Sequence, residues 1–368
     1  MPRRLPSLLA SAALALSLVA GAALACTGIT LRAQDGAVVY GRTLEWGAFD
    51  LLSRLMIVPR GQEMSARMED GQPGMSWTAS YGFVAIDAVE KPLAVDGVNE
   101  QGLAVGLFYH PGVAVYQPFE DAARAQSLGP LDVANWALGS FATVEEVRNA
   151  MAEIRVVPVT EEALGFPPPV HFLITDASGA AIVVEYLQGA LTIHDAPLGV
   201  ITNAPNYDWH LTNLRNYVNL SPVALPTQSL ADLELSPLGA GSGMIGLPGD
   251  FTPPSRFVRA VAYSRTARPT ETGEETIYEL FSILDNFNVP LGAAEGSELD
   301  TDAGGLRSAT LWTTAIDLKN RVFYYHTQHN RRVRMLDLKA IDFTGLDEIT
   351  FLPLDREKRQ DIETVSLP

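Results

Sequence analysis

The chain has 368 residues, with 43 Asp and Glu against 26 Lys and Arg, a formal charge of -17, and a single cysteine. That balance excludes a phosphate-binding surface: the one basic cluster, Arg331, Arg332 and Arg334, is too short to track a nucleic acid and reads as a solvated strip. A lone cysteine excludes an internal disulfide, so in an exported chain it calls for another explanation.

Along the chain, Arg3 and Arg4 open a segment that is almost purely apolar from Leu8 to Ala23, and Ala23-Leu24-Ala25 then offers the small residues a signal peptidase needs. The pattern predicts a signal peptide over residues 1–25 and a mature chain, 26–368, that begins with Cys26 and works in the periplasm or as a secreted protein. Losing Arg3 and Arg4 moves the charge from -17 to about -19. The apolar run is short for a membrane span. No later stretch approaches the roughly 20 continuous apolar residues that crossing a bilayer requires, so no stable membrane insertion is expected.

Cys26 to Leu31 alternates like a strand, Asp35-Gly36 makes a turn, and Ala37 to Glu45 returns, a hairpin signal that puts Cys26 at a strand start. Further pairs are predicted from Leu93 through Asn99 to Phe108, from His171 to Thr175 with Ala181 to Tyr186 across Asp176 to Gly179, and from Ser308 to Leu318 with Arg321 to Thr327. Helical periodicity marks Leu131 to Phe141, Thr143 to Ile154, Ser255 to Ser264 and Glu275 to Phe287, with Thr143 and Glu146 at capping-box spacing. No Ser, Gly or charge-rich linker divides the chain, and no repeat of about 20 to 50 residues is apparent, so one domain is expected. Strands and helices come in blocks. That order predicts an α+β protein, an antiparallel sheet sandwich with helices on its outer faces, over a doubly wound parallel sheet.

A cysteine freed at a new N-terminus carries a thiol and an α-amine on one residue, so the nucleophile brings its own base. The amine's ordinary pKa, about 7.7 to 8.0, lies where a general base works well. A lipid-anchored binding protein attached through Cys26 is the rival from another class, although Ala23 stands where such a signal usually has Leu. A second rival, a cysteine hydrolase with a separate histidine base, lacks a partner motif. His326 and His329 lie three apart within or just past a predicted strand and so face opposite sides, a poor pair of metal ligands. No metal or cofactor is expected.

CTGITLRAQDGAVVYGRTLEW, starting at Cys26, resembles the opening of the choloylglycine hydrolase family, which holds bile salt hydrolases and penicillin V acylases. Within it, Gly41-Arg42-Thr43-Leu44-Glu45 matches the family's Gly-Arg-Asn-x-Asp. Three later stretches are similar in the same order: DGVNEQGLAVGLFYHPG from Asp96, ITNAPNYDWHLTNLRNY from Ile201 and GSGMIGLPGDFTPPSRFV from Gly241. The resemblance implies a four-layer αββα N-terminal-nucleophile hydrolase sandwich, hydrolysis of linear carbon-nitrogen amide bonds in a small-molecule substrate, and a homo-oligomer, a tetramer by the family pattern.

It also implies roles. Cys26 attacks the amide carbonyl, giving a tetrahedral intermediate and then a thioester that water resolves. Arg42 sits near the sulfur, where a permanent cation favours a thiolate. Glu45 stands where the family usually has Asp and holds the α-amino group. Asn203 donates its side-chain amide to the oxyanion, the Tyr109 backbone N–H is the second donor, and Arg256 supports the transition state and the local ion network. Tyr109 falls where penicillin V acylases tend to have Tyr and bile salt hydrolases Asn. This leans the substrate toward phenoxyacetyl penicillins or N-acyl homoserine lactones, with conjugated bile salts as the alternative. The acyl pocket is expected on loops such as Glu45 to Leu55, Met75 to Phe83 and Pro130 to Phe141.

Overall fold

A computed structural model describes residues 26–47, 50–294 and 308–367, and the expected signal peptide lies outside the described residues. In chain order the long elements begin with β1 (Thr27–Arg32), β2 (Val38–Trp46), β3 (Arg54–Val58), β4 (Phe83–Ala88), β5 (Lys91–Asn99) and β6 (Ala104–Tyr109). Next come α1 (Val133–Ser140), α2 (Val144–Met151), β7 (Val170–Thr175), β8 (Ala181–Leu187), β9 (Ala190–Asp195), β10 (Val200–Ile201) and α3 (Tyr207–Leu214). The last are α4 (Pro253–Thr266), α5 (Gly273–Leu284), β11 (Ala309–Asp317), β12 (Val322–Thr327), β13 (Arg334–Asp337) and β14 (Thr350–Pro353).

Among the described residues these strands form a six-stranded sheet, ordered β10-β1-β2-β11-β12-β13, and an eight-stranded sheet, ordered β9-β8-β7-β6-β5-β4-β3-β14. α4 packs on β1 and α5 on β2 and β11, while α1 covers β5 and β6 of the larger sheet. The layers therefore read helix, sheet, sheet, helix, the αββα sandwich of α+β class. All four predicted hairpins form, and the Thr143 capping box is present, with Glu146 N donating to Thr143 Oγ1 at 3.2 Å and Thr143 N to Glu146 Oε2 at 3.1 Å. No helix among the described residues is long and apolar enough to cross a membrane.

Strand alternation decides what each residue of the first hairpin sees. A methyl added at Gly28 would meet the Phe108 ring of β6 at 2.7 Å, whereas one added at Gly41 would meet Leu280 of α5 at 2.9 Å. Cross-strand partners share a face, so Cys26, Gly28, Arg42 and Leu44 look into the space between the sheets. Thr27, Thr43 and Glu45 look toward the helices. Gly41 also admits no side chain, because its Cβ would run into the Thr314 carbonyl oxygen of β11, and that oxygen cannot retreat without breaking the ladder. Gly41→Ala is expected to destabilise the protein by about 1 to 3 kcal/mol, as overpacking does. An unchanged thermal melting curve would show that β2 has slack here.

Candidate active site

Asn203 is brought to Cys26 by the short strand β10, which pairs with β1 through Gly28↔Ile201, two residues before it. Cys26 is buried, and its nitrogen, a peptide N–H in the full-length chain, donates to Asn203 Oδ1 at 2.9 Å. The fully buried Arg256 of α4 donates Nη2 to the same oxygen at 2.6 Å, Nη1 to the Cys26 carbonyl and to Thr27 Oγ1 at 3.0 Å, and Nε to the Phe251 carbonyl at 2.9 Å. Two donors converging on one atom fix which end of the Asn203 amide is oxygen. The nitrogen end, Nδ2, donates to the Tyr109 carbonyl at 2.7 Å. An amide nitrogen has two hydrogens, so one is left over.

Arg42 explains why Tyr109 is reachable. Pairing of β5 with β6 ends at Asp96↔Gly106. Beyond it the Arg42 guanidinium enters the gap, donating Nη1 to the Val95 carbonyl at 3.3 Å and to the Leu107 carbonyl. It lies 4.1 Å from the Phe108 ring centroid and 5.4 Å from that of Trp312, a desolvated cation held by π faces. Burial alone would lower its pKa, but attraction from Cys26, Tyr40, Asp96 and Glu45 carries it above its ordinary value. On the other side of β6, His110 N donates to the Pro169 carbonyl. Antiparallel alternation then turns the Tyr109 N–H away from β7, to the open edge where its carbonyl meets Asn203.

Glu45 is buried on the helix side, and the register Thr27↔Thr43 sets it one step beyond the level of Cys26. Thr310 Oγ1 donates to its Oε1 at 2.7 Å, while Oε2 has no hydrogen-bond partner among the described residues. Burial pushes its carboxyl up to about 7, against the pull of Arg256 and of the Thr310 hydroxyl. Arg256, lowered to about 10 by burial, remains a cation at neutral pH. Two supporting residues were not singled out from the sequence. Thr310 holds Glu45, and Asp96, which burial raises to about 6, accepts Tyr40 Oη and Thr314 Oγ1 at 2.7 Å each and so staples the two sheets beside Arg42.

A cavity of about 90 Å³ lies beside Cys26 and Arg42. Leu44, Trp46, Leu51, Val95, Leu107, Leu131, Leu164 and Val170 give it an apolar wall, and Tyr109 stands edge-on to Trp46 with ring centroids 6.1 Å apart. Two of the loops expected to form the pocket contribute, through Leu51 and Leu131. The stretch from Met75 to Phe83 does not, because it packs under α1, where Ala79 lies against Gly139. Residues between Ala88 and Val95 and between Glu161 and Val170 take its place.

Behind Asn203, His110, His171 and Glu185 bring nitrogen and oxygen atoms within 4.8 Å of one another, a donor set of the kind that binds transition metals. The geometry is a poor fit. The two rings are stacked, with centroids 4.0 Å apart and planes 9° apart. A bound ion sits near the plane of each imidazole that holds it, and stacked rings share no such point. His326, on β12, is buried and packs against Phe281, with ring centroids 5.3 Å apart.

The family model described as linear amide C-N hydrolases, choloylglycine hydrolase family, matches residues 26–351. The chain is 30% identical over 331 residues to the bile salt hydrolase/transferase of Clostridium perfringens, covering 89% of this chain and 96% of that protein. Identity to the penicillin V acylase of Pectobacterium atrosepticum is 28% over 350 residues, covering 89% and 85%. Among solved structures, a mutant of the conjugated bile acid hydrolase from Clostridium perfringens superposes with a TM-score of 0.79 at 27% identity, over 93% of this chain and 100% of that one. The penicillin V acylase from Agrobacterium tumefaciens gives 0.72 at 25% identity, over 90% and 92%.

Proposed function

The chain belongs to the choloylglycine hydrolase family of linear amide C–N hydrolases, and we propose that it cleaves small apolar acyl amides with Cys26 as nucleophile, once the residues before it are removed. One observation carries this reading. The Cys26 nitrogen and Arg256 meet on Asn203 Oδ1, at 2.9 and 2.6 Å, while Asn203 Nδ2 reaches the Tyr109 carbonyl at the open edge of β6, 2.7 Å away. A freed α-amine held by Oδ1 takes the proton of Sγ, and Sγ attacks the amide carbon. The negative charge on the carbonyl oxygen meets the spare hydrogen of Asn203 Nδ2 and the Tyr109 N–H. The protonated amine then gives its proton to the leaving nitrogen, the C–N bond breaks, and water hydrolyses the remaining thioester. Arg256 fixes the Cys26 carbonyl and Asn203 throughout.

The pocket beside Cys26 has an apolar lining, which suits an aryl or alkyl acyl group, and Tyr109 stands where penicillin V acylases tend to have Tyr. On that ground we place phenoxyacetyl penicillins and N-acyl homoserine lactones ahead of conjugated bile salts, acting outside the cytoplasm as a homo-oligomer. The bile salt reading is favoured by the 30% identity to the Clostridium perfringens protein. Steady-state kinetics of the processed protein on penicillin V, long-chain acyl homoserine lactones and glycocholate decide between them. One of the first two is expected to give the higher kcat/KM; a clear preference for glycocholate would sink the acyl assignment and leave the nucleophile untouched.

A further inference from the structure

We propose that Glu185 and His171 are positioning residues that share one proton and, through it, hold the Asn203 turn in register with Cys26; this rests on the role given to Asn203 above. One step beyond the pair Phe172↔Val184, His171 of β7 stands opposite Glu185 of β8, on the same inner face as Phe108. The turn from β10 to α3 runs over them and is tied at three backbone atoms. His171 Nε2 is 3.0 Å from the Thr202 carbonyl, and His210 Nε2 is 2.9 Å from the Asn203 carbonyl. Tyr207 N donates to Glu185 Oε1 at 3.0 Å and Oε2 at 3.2 Å. The backbone on both sides of the candidate oxyanion donor is therefore anchored by buried titratable side chains.

Donor and acceptor accounting locates the proton. A carbonyl can only accept, so His171 carries hydrogen on Nε2. Its Nδ1 faces Glu185 Oε1 at 3.1 Å. If the imidazole were neutral and the carboxyl ionised, two lone pairs would oppose each other in a buried site, so one proton must lie between them. It sits either on the carboxyl, donating to Nδ1, or on Nδ1, donating to a carboxylate, and both arrangements leave the pair neutral. Burial favours the first. It pushes the Glu185 carboxyl up, against attraction from His110 and His194, and pushes His171 down to about 3, against the Thr202 carbonyl. The other groups facing the pair are His110 just past β6, 3.7 Å from Oε1, His194 on β9, 3.5 Å from Oε2, Tyr207, Asp208 and His210 on α3, and Arg42 on β2.

The pH consequence has a definite sign. As pH rises and the shared proton leaves, the lone pairs repel, Thr202 loses its anchor, and kcat falls on the alkaline side although Cys26 and its amine are intact. Glu185→Gln tests this directly. Its amide N–H donates to Nδ1 at every pH, while its oxygen keeps the 3.2 Å contact with Tyr207 N and the 3.0 Å one is given up, so most of the wild-type kcat with a lost or upshifted alkaline limb is expected. Glu185→Ala should lower kcat by up to about 100-fold with KM little changed, the scale of a donor misplaced by about 1 Å. An E185Q protein as impaired as E185A, or with an unmoved alkaline limb, overturns the proposal. So does full kcat in E185A. Histidine 15N NMR of the processed protein without substrate gives an answer that needs no activity. A hydrogen-bonded Nδ1 with Nε2–H on His171 supports the shared proton, whereas an Nδ1 free of any hydrogen bond overturns it. If that signature is found but no amide is hydrolysed, the fault lies with the proposed function and not with the pair.

Discussion

A protein that keeps even one residue in front of Cys26 is expected to hydrolyse no amide, although its thiol, Arg42, Asn203 and Arg256 are all in place. The structure places the Cys26 nitrogen 2.9 Å from Asn203 Oδ1, where a free amine would have an acceptor to orient it and a lone pair left for the thiol proton. An acylated nitrogen has no basic lone pair, so it can neither accept that proton nor return it to the leaving amine. The extra residue would also stand where the substrate carbonyl must come within about 3 to 3.5 Å of the sulfur. Among the described residues no histidine is hydrogen-bonded to Cys26: buried His171 and His210, pushed down to about 3 and 4, are spent on the Thr202 and Asn203 carbonyls, and burial pushes His110 down to about 3. Two preparations test this, one beginning at Cys26 after removal of the initiator Met and one beginning Met-Ala-Cys with the Ala retained. Equal activity in the extended protein, confirmed intact by mass, means that Cys26 does not act through its own amine. The mass spectrum of the exported protein would also expose a diacylglyceryl group on Cys26 and so revive the lipid-anchor alternative.

The first hairpin was legible because its signals are local. Gly36 takes the positive φ of +82° that its turn demands, and alternation through Leu31 and from Ala37 sets the register. β4 was not legible. Phe83 to Asp87 is buried on both faces, so the run shows no period and cannot be told from a short buried helix. α3 buries only Tyr207 and His210 in eight residues, too few for a helical stripe. The six residues singled out from the sequence, Cys26, Arg42, Glu45, Tyr109, Asn203 and Arg256, lie together around Cys26, yet their supports are scattered. Thr310 lies 265 residues from Glu45, and nothing in either local sequence links them. The His171 and Glu185 pair is different. The hairpin predicted around Asp176 to Gly179 already sets 171 opposite 185, so reading register as well as strand existence would have found it.

Asn203→Ala is expected to lower kcat by about 100-fold to 1000-fold with little change in KM, the usual effect of losing one oxyanion donor. The structure complicates that simple reading, because the same side chain also accepts from the Cys26 nitrogen and from Arg256 and donates to the Tyr109 carbonyl. Alanine removes all of these together, leaving the buried Arg256 short of an acceptor, so the loss could come from slack in the nucleophile as easily as from a missing donor. Asn203→Asp separates the two causes. A carboxylate keeps both acceptor contacts and gains a charge partner in Arg256, but it has no hydrogen to give and sets a negative charge beside the developing oxyanion. If Asn203 acts as a donor, the Asp protein should be at least as slow as the Ala protein while melting above it, and below the wild type because a carboxylate oxygen then faces the Tyr109 carbonyl. If anchoring is what matters, the Asp protein should recover most of the activity. That recovery would move the oxyanion site away from Asn203 and leave Tyr109 N–H in need of a different partner.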